Sequence, residues 1–311
     1  NRAYSYPCIA AMYRGEGSGH SMKVNTMAHP ANSWREELVY IATDDNIQLA
    51  GLVISPPEDA SRHVSIVWIH GNAASFYDRP YALIGRELAR LGYTVALANT
   101  RGHDIATTLW KADDHSPMAG GGGSGWERME DAPRDLAAWV DFAATLEPGG
   151  VLLAGHSKGA QKVILYAAEH PGEHVQGIAL VSPDLHSLRI PGDLEAARAL
   201  VAEGRGMEVI PAQPWAPWYR QSAQTVVSHA ETADRLLSAT SGTPIIASVR
   251  VPLLATFGGD ERNVAAELAT IRENATAAPH VTTEIIAEAD HFYRDHEADV
   301  ARAIAQWASA L

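Results

Sequence analysis

Residues 155–159, with the sequence Gly-His-Ser-Lys-Gly, constrain the fold of this chain more than any other stretch. They follow the apolar run 151–154 and precede residues 160–170, which have the pattern of a helix. A serine between two glycines at a strand-to-helix junction is typical of a nucleophile elbow, a turn with no room for a Cβ atom at its flanking positions. The pattern predicts Ser157 as a nucleophile. The alternative is a serine that only caps the helix beginning at Lys158.

Two further motifs follow in an order that suits a catalytic triad. A strand pattern at 251–257 leads to Asp260, and a second one at 282–286 leads to a loop that contains His291. A serine hydroxyl is a weak nucleophile until a histidine takes its proton, and a carboxylate then holds the histidine in the required tautomer. We therefore expect His291 to act as the base and Asp260 as the acid.

The choice of acid leaves alternatives open. Asp184 ends the preceding strand pattern and is the main rival of Asp260. Glu261 and Asp290 are weaker rivals, because each adjoins a residue that is better placed. Among the other histidines near these motifs, His156 lies inside the elbow and is expected to face away from the nucleophile.

An oxyanion hole needs two backbone donors directed at the developing negative charge. The N–H of Lys158 is one donor by construction of the elbow. The other is expected from Asn72, which follows the strand pattern 65–69, and Ala73 is an alternative. The side chain of Lys158 is expected to point away from the pocket, into a salt bridge or solvent.

The order serine, acid, histidine, together with the elbow, resembles the α/β-hydrolase fold superfamily over residues 36–311. Within it, the chain is similar to bacterial serine hydrolases with a helical cap. The resemblance implies a mostly parallel central sheet of about eight strands flanked by helices, with the cap inserted after the sixth strand. One position departs from the superfamily pattern: Asp104 replaces the second glycine of the Arg-Gly-x-Gly turn that begins at Arg101.

The organisation along the chain agrees with this resemblance, because strand and helix patterns alternate from residue 35. We expect an N-terminal extension at 1–34, a core formed by 35–184 and 250–311, and a helical cap at 185–249. The extension is expected to cross the surface or to contribute to a homodimer.

Aromatic residues near the expected site are candidates for substrate binding. Three of them, Trp215, Trp218 and Tyr219, lie in a proline-rich part of the expected cap. Phe76 follows the loop that contains Asn72. If they line the pocket, the substrate is largely apolar. The alternative is that the aromatic residues of the insert fix the cap to the core.

Composition excludes several classes of partner. The 311 residues carry a net charge of −13, which disfavours nucleic acids and anionic membrane surfaces. No apolar run approaches the roughly 20 residues of a membrane span. The single cysteine, Cys8, excludes an internal disulfide and fits a reducing cytoplasm. No residue spacing suggests a metal site, and we expect no cofactor.

The combined motifs favour a cofactor-independent serine hydrolase that acts on a carboxylic ester or lactone of a largely apolar small molecule. The same triad on an amide, a thioester or a carbon–carbon bond next to a ketone stays open. A small-molecule receptor that uses this fold without turnover is the alternative from another class.

Overall fold

The computed structural model describes residues 34–172, 174–183, 194–211, 219–236 and 242–311. The strands of this part of the chain are β1 (Arg35–Ala42), β2 (Ile47–Ser55), β3 (Ser65–Ile69), β4 (Thr94–Ala98), β5 (Trp110–Lys111), β6 (Val151–His156), β7 (Val175–Val181), β8 (Leu253–Gly258) and β9 (Val281–Ile286). The α-helices are α1 (Arg79–Arg90), α2 (Ala132–Ala144), α3 (Lys158–Glu169), α4 (Leu194–Ala202), α5 (Ala223–Leu236), α6 (Val264–Asn274) and α7 (Glu297–Ala308). The expected extension at 1–34 lies outside the described residues except for Trp34.

The strands form one mixed sheet in the order β1-β2-β4-β3-β6-β7-β8-β9, and β5 pairs with β2. The pairs that involve β2 are antiparallel, and every pair from β4 to β9 is parallel. The predicted mostly parallel sheet is confirmed, with nine strands in the described residues instead of about eight. The two-residue strand β5 was not predicted, because it is too short to show a periodic pattern.

Alternating side chains of the central strands supply two separate cores. In β3, Val67 and Ile69 face one cluster, while Ile66 and Trp68 face the other. The first cluster includes buried residues of α2, α3 and α6, and the second includes those of α1 and α7. The sheet is therefore covered by helices on both sides, which explains why its inner strands are buried throughout and mostly apolar.

Four loops that carry predicted site residues leave the same edge of the sheet. They follow β3, β6, β8 and β9, and β7 lies between β6 and β8. Ligand sites in sheets of this type lie outside the carboxyl ends of the strands. The topology therefore brings the predicted serine, acid, histidine and oxyanion loops together.

Two helices, α4 and α5, lie between β7 and β8, in the stretch where the sequence predicts helices without strands. They pack on each other through a small cluster that includes Ala197 and Val226. That residues 185–249 form a cap over the site stays a prediction.

Within the described ranges, no helix has the length and apolar character needed to cross a membrane.

Candidate active site

The elbow around Ser157 has the strained geometry that its sequence predicts. Ser157 has φ 54° and ψ −121°, between the end of β6 and the start of α3. A Cβ atom on Gly155 would lie 2.5 Å from the carbonyl carbon of Gly159, and one on Gly159 would lie 2.4 Å from the carbonyl oxygen of Ile69. Only glycine fits both positions, so the two glycines allow the tight turn. The strain is consistent with a functional site, since such backbone conformations persist only where the surrounding structure enforces them.

His291 lies beside the serine, as predicted. Its Nε2 atom is 3.2 Å from Oγ of Ser157, and its Nδ1 atom is 2.7 Å from Oε2 of Glu261. Serine, histidine and carboxylate therefore form one continuous line of hydrogen-bonding groups. This is the arrangement in which a histidine can take the serine proton while the carboxylate stabilises the ring.

The structure places Glu261, not the predicted Asp260, against His291. The chain leaves β8 with the N–H of Asp260 donating to the carbonyl of Ala289, and the Asp260 side chain is exposed. A turn then closes with the N–H of Glu261 donating to the carbonyl of Gly258. This turn directs the Glu261 carboxylate back toward the sheet edge. The carboxylate in contact with His291 therefore belongs to the residue after the predicted Asp260.

Of the other two rivals for the acid, Asp290 lies in the described chain, and its carboxylate is bound to groups other than the imidazole of His291. Asp290 accepts the N–H of Phe292 and pairs with Arg294. Asp184 lies outside the described residues.

The Glu261 carboxylate is held by three donors, which belong to His291, Ser182 and Gly258. Its Oε1 atom accepts from the hydroxyl of Ser182 and, at 2.7 Å, from the N–H of Gly258. Burial raises the pKa of Glu261, but the hydrogen bonds from His291, Ser182 and Gly258 outweigh burial and lower the pKa below its usual value. The carboxylate is thus ionised at neutral pH and can hold the Nδ1 proton of His291, which leaves Nε2 to accept from the serine.

The loop after β3 packs directly on the nucleophile. A Cβ atom on Gly71 would lie 3.3 Å from Cβ of Ser157, and Asn72 and Ser157 line the same cavity of about 400 Å³. The backbone N–H groups of Asn72 and Lys158, which begins α3, remain the predicted oxyanion donors. The position of Asn72 beside Ser157 supports this prediction.

The predicted substrate-binding residues have different positions. Tyr219 reaches the site loop, because its hydroxyl donates to Oδ1 of Asn72 at 2.9 Å. Phe76 packs against the core cluster that contains α1 and α7, and it is not among the described lining residues of the cavity. Trp215 and Trp218 lie outside the described residues.

The described lining includes residues that the sequence analysis did not name as binding residues. Phe292 follows His291 and is 49% exposed, and Asp78 and Arg79 lie at the start of α1. Adjacency to His291 was the available signal for Phe292.

Across the described ranges, no group of three or more histidine, cysteine, aspartate or glutamate side chains is arranged to hold a metal ion.

The departure at Asp104 does not prevent the loop from forming. Asp104 adopts φ 57°, the left-handed conformation that favours glycine and that aspartate tolerates better than most residues. Its carboxylate accepts from the hydroxyl of Tyr77 at 2.8 Å, and its N–H donates to the carbonyl of Ala74 at 2.9 Å. Through these hydrogen bonds, Asp104 connects the loop that begins at Arg101 to the loop that carries Asn72.

A buried ionic cluster lies behind the elbow. The Lys158 ammonium is 3.0 Å from one oxygen of Glu127, and the Lys162 ammonium is 2.6 Å from the other. All three side chains are 2% exposed. The salt bridge expected for Lys158 is confirmed. Burial raises the pKa of Glu127, but Lys162 and Lys158 outweigh burial, so the pKa lies well below its usual value.

The same cluster also contacts α5, a helix of the region 185–249 that is expected to form the cap. His229 of α5 places Nε2 3.7 Å from Oε1 of Glu127, and Ser228 accepts the N–H of Met129 at 2.8 Å. Glu127 therefore connects the first turns of α3, which begin directly after Ser157, to a helix of the insert. Glu127 could not be identified from local patterns, since it lies in an irregular segment with no strand or helix pattern.

Replacing Glu127 with glutamine should lower the free energy of unfolding by about 3–5 kcal/mol, because two buried ammonium groups lose their shared counter-charge. Urea denaturation followed by circular dichroism measures this change. Glu231→Gln is the matched control, since Glu231 forms an exposed pair with Arg198 on the surface of the insert. Equal stabilities of the wild type and Glu127→Gln would contradict the assignment of an ionic cluster.

Comparisons with known proteins agree on the fold. The family model for the alpha/beta hydrolase fold matches residues 64–198, which contain β3, the elbow and β7. A comparison with curated protein sequences gives no match.

Three solved structures illustrate the similarity. A highly thermostable carboxyl esterase from Bacillus coagulans has a TM-score of 0.65 at 17% identity, with 88% of this chain and 98% of that chain covered. Est1E from Butyrivibrio proteoclasticus has a TM-score of 0.59 at 18% identity, with 88% and 98% covered. The esterase Pf2001 from Pyrococcus furiosus has a TM-score of 0.54 at 18% identity, with 88% and 91% covered.

At these identities the structural similarity establishes the fold, and the family model agrees with it. The mostly parallel sheet, the elbow after β6 and the loops after β8 and β9 agree with the sequence resemblance. The chain has the α/β-hydrolase fold.

Proposed function

We propose that the protein is a serine hydrolase that cleaves carboxylic esters through an acyl-enzyme. The observation that carries the proposal is the line of contacts from Ser157 through His291 to Glu261, beside a cavity that could receive a small molecule. The structural neighbours named above include esterases, which supports this reaction over others that use the same triad.

The proposed reaction has two halves. Nε2 of His291 takes the Ser157 proton while Oγ attacks the ester carbonyl, and the backbone donors of Asn72 and Lys158 bind the oxyanion. Each donor contributes about 3 kcal/mol in the transition state. His291 then protonates the leaving alcohol, which leaves the acyl group on Ser157.

In the second half, a water molecule replaces the alcohol. His291 takes a proton from this water, the hydroxide oxygen attacks the acyl carbon, and the proton returns to Oγ of Ser157 as the acid departs. Glu261 remains ionised throughout and stabilises the imidazolium that forms twice in the cycle. No cofactor is needed for this sequence of steps.

The cavity suggests a small substrate that is largely apolar near the ester. Ala74, Pro80 and Phe292 give it apolar surface, and its volume of about 400 Å³ lies within the range of small-molecule sites. A lactone is included in the proposal, because ring opening forms the same acyl-serine. A structure of Est1E has ferulic acid bound, and we therefore include aryl esters among the substrates to test.

A matched panel of substrates tests the proposal. We expect release of 4-nitrophenol from 4-nitrophenyl acetate and butyrate, with kcat/KM far above that for 4-nitroacetanilide, the corresponding amide. Higher turnover of the amide would favour the amidase alternative. Saturable binding of the esters without any product would contradict the proposed function and favour a receptor.

A further inference from the structure

The side chain of His156, inside the elbow, bridges two loops of the candidate active site. Its Nε2 atom is 2.7 Å from the backbone oxygen of His291, and its Nδ1 atom is 2.9 Å from the hydroxyl of Tyr81. The same hydroxyl lies 3.1 Å from the backbone nitrogen of Gly71. His156 is 2% exposed, so these contacts are made away from solvent.

The chemistry of the four groups fixes the direction of each hydrogen bond. The carbonyl of His291 only accepts, so Nε2 of His156 carries a proton and donates it. In a neutral ring Nδ1 is then an acceptor, and the Tyr81 hydroxyl donates to it. The Tyr81 oxygen in turn accepts the N–H of Gly71. One chain of hydrogen bonds therefore runs from the loop after β3 to the loop after β9.

The ring stays neutral in this setting. Burial, reinforced by the nearby His291, lowers the pKa of His156 to about 3. The two imidazole centroids are 4.8 Å apart, so a charge on His156 would oppose the charge that forms on His291 during the proposed reaction. A neutral donor can hold the backbone of His291 without this penalty.

We propose that His156 is a positioning residue, which acts with Tyr81 to hold the backbone of His291 and the loop that carries Asn72 at a fixed separation on either side of Ser157. The inference rests on the proposed function. The close packing of Gly71 on the serine supports it, because a shift of this loop would move the predicted oxyanion donor.

Two matched substitutions separate hydrogen bonding from packing. In His156→Gln, the terminal amide nitrogen can replace Nε2 and donate to the carbonyl of His291. In His156→Asn, the shorter side chain places its oxygen near the position of Nδ1, and the carbonyl of His291 loses its donor. We expect His156→Asn to lower kcat for 4-nitrophenyl acetate by about 5- to 150-fold with KM nearly unchanged, the effect of one unsatisfied buried group. His156→Gln keeps the donor to His291 but gives up the acceptor for Tyr81, so its loss of kcat should be no larger than that of Tyr81→Phe, which removes the same link.

Tyr81→Phe is a second variant that preserves the size of the side chain. It removes the link between Gly71 and His156, and we expect a loss of kcat in the same range. Because both residues belong to one chain of hydrogen bonds, the double variant Tyr81→Phe/His156→Asn should lose less than the product of the single losses. Thermal unfolding of each variant verifies that the comparison is made on folded protein.

A loss in His156→Gln that exceeds the loss in Tyr81→Phe, or multiplicative losses in the double variant, would overturn the inference and leave a packing role. The proposed function is judged separately by the wild type. If the wild type fails to hydrolyse esters, the rate at which a fluorophosphonate probe labels Ser157 replaces kcat, with the same expected order among the variants.

Discussion

Replacing Ser157 with alanine should lower kcat for 4-nitrophenyl acetate by about 10⁶-fold, the loss seen when a catalytic serine of this type is removed. The proposed reaction needs Oγ as the atom that becomes acylated, and alanine offers no replacement. The Ser157 hydroxyl has His291 as its neighbour at 3.2 Å, and the backbone strain of the elbow is unaffected by its removal. We therefore expect the variant to remain folded.

The measurement is steady-state release of 4-nitrophenol, with thermal unfolding followed in parallel. Ser309→Ala is the matched control, because Ser309 is an exposed serine at the end of α7. Its kcat should equal that of the wild type. A Ser157→Ala variant that keeps more than about a tenth of the activity would exclude the serine as nucleophile.

Glu261→Gln should lower kcat by about 10⁴-fold, because an amide beside Nδ1 supports the wrong tautomer of the histidine. The Glu261 carboxylate contacts Nδ1 of His291 at 2.7 Å. The pKa of Glu261 lies below its usual value, so the wild type carries the ionised carboxylate at neutral pH, while the glutamine has no charge at any pH.

Asp260→Asn provides the comparison at the neighbouring position. The Asp260 side chain is exposed, and the change should leave kcat within about twofold of the wild type. Both variants are measured with the same ester under saturating conditions. A severe loss in Asp260→Asn with a mild one in Glu261→Gln would restore the acid that the sequence predicted.

Much of the fold could be predicted from local patterns. The inner strands are buried on both faces, so β3 and β6 appear in the sequence as uninterrupted apolar runs. In α2, the buried apolar residues Leu136, Trp139, Val140 and Ala143 recur at the spacing of one helix face. The strand β5 could not be predicted, because it pairs with β2 over only two residues.

The candidate site was predictable where one local turn determines it. Ser157 lies in a pentapeptide whose glycines dictate the turn, and His291 lies in a short loop after a recognisable strand. The acid could not be chosen between Asp260 and Glu261, because the choice depends on how the chain pairs with residues 286–289 as it leaves β8. Long-range partners such as Glu127 and Tyr81 carry no local signal, since their contacts are made only in the folded chain.

The most direct test of the account is to trap the acyl-enzyme. The protein is mixed with 4-nitrophenyl acetate, quenched in acid before the acyl group is hydrolysed, and digested for peptide mass spectrometry. The account predicts one added acetyl group on the peptide that contains Ser157, and none on that peptide in Ser157→Ala. Turnover of the ester by the wild type with no acetyl group on that peptide at any quench time, or undiminished turnover by Ser157→Ala, would contradict it.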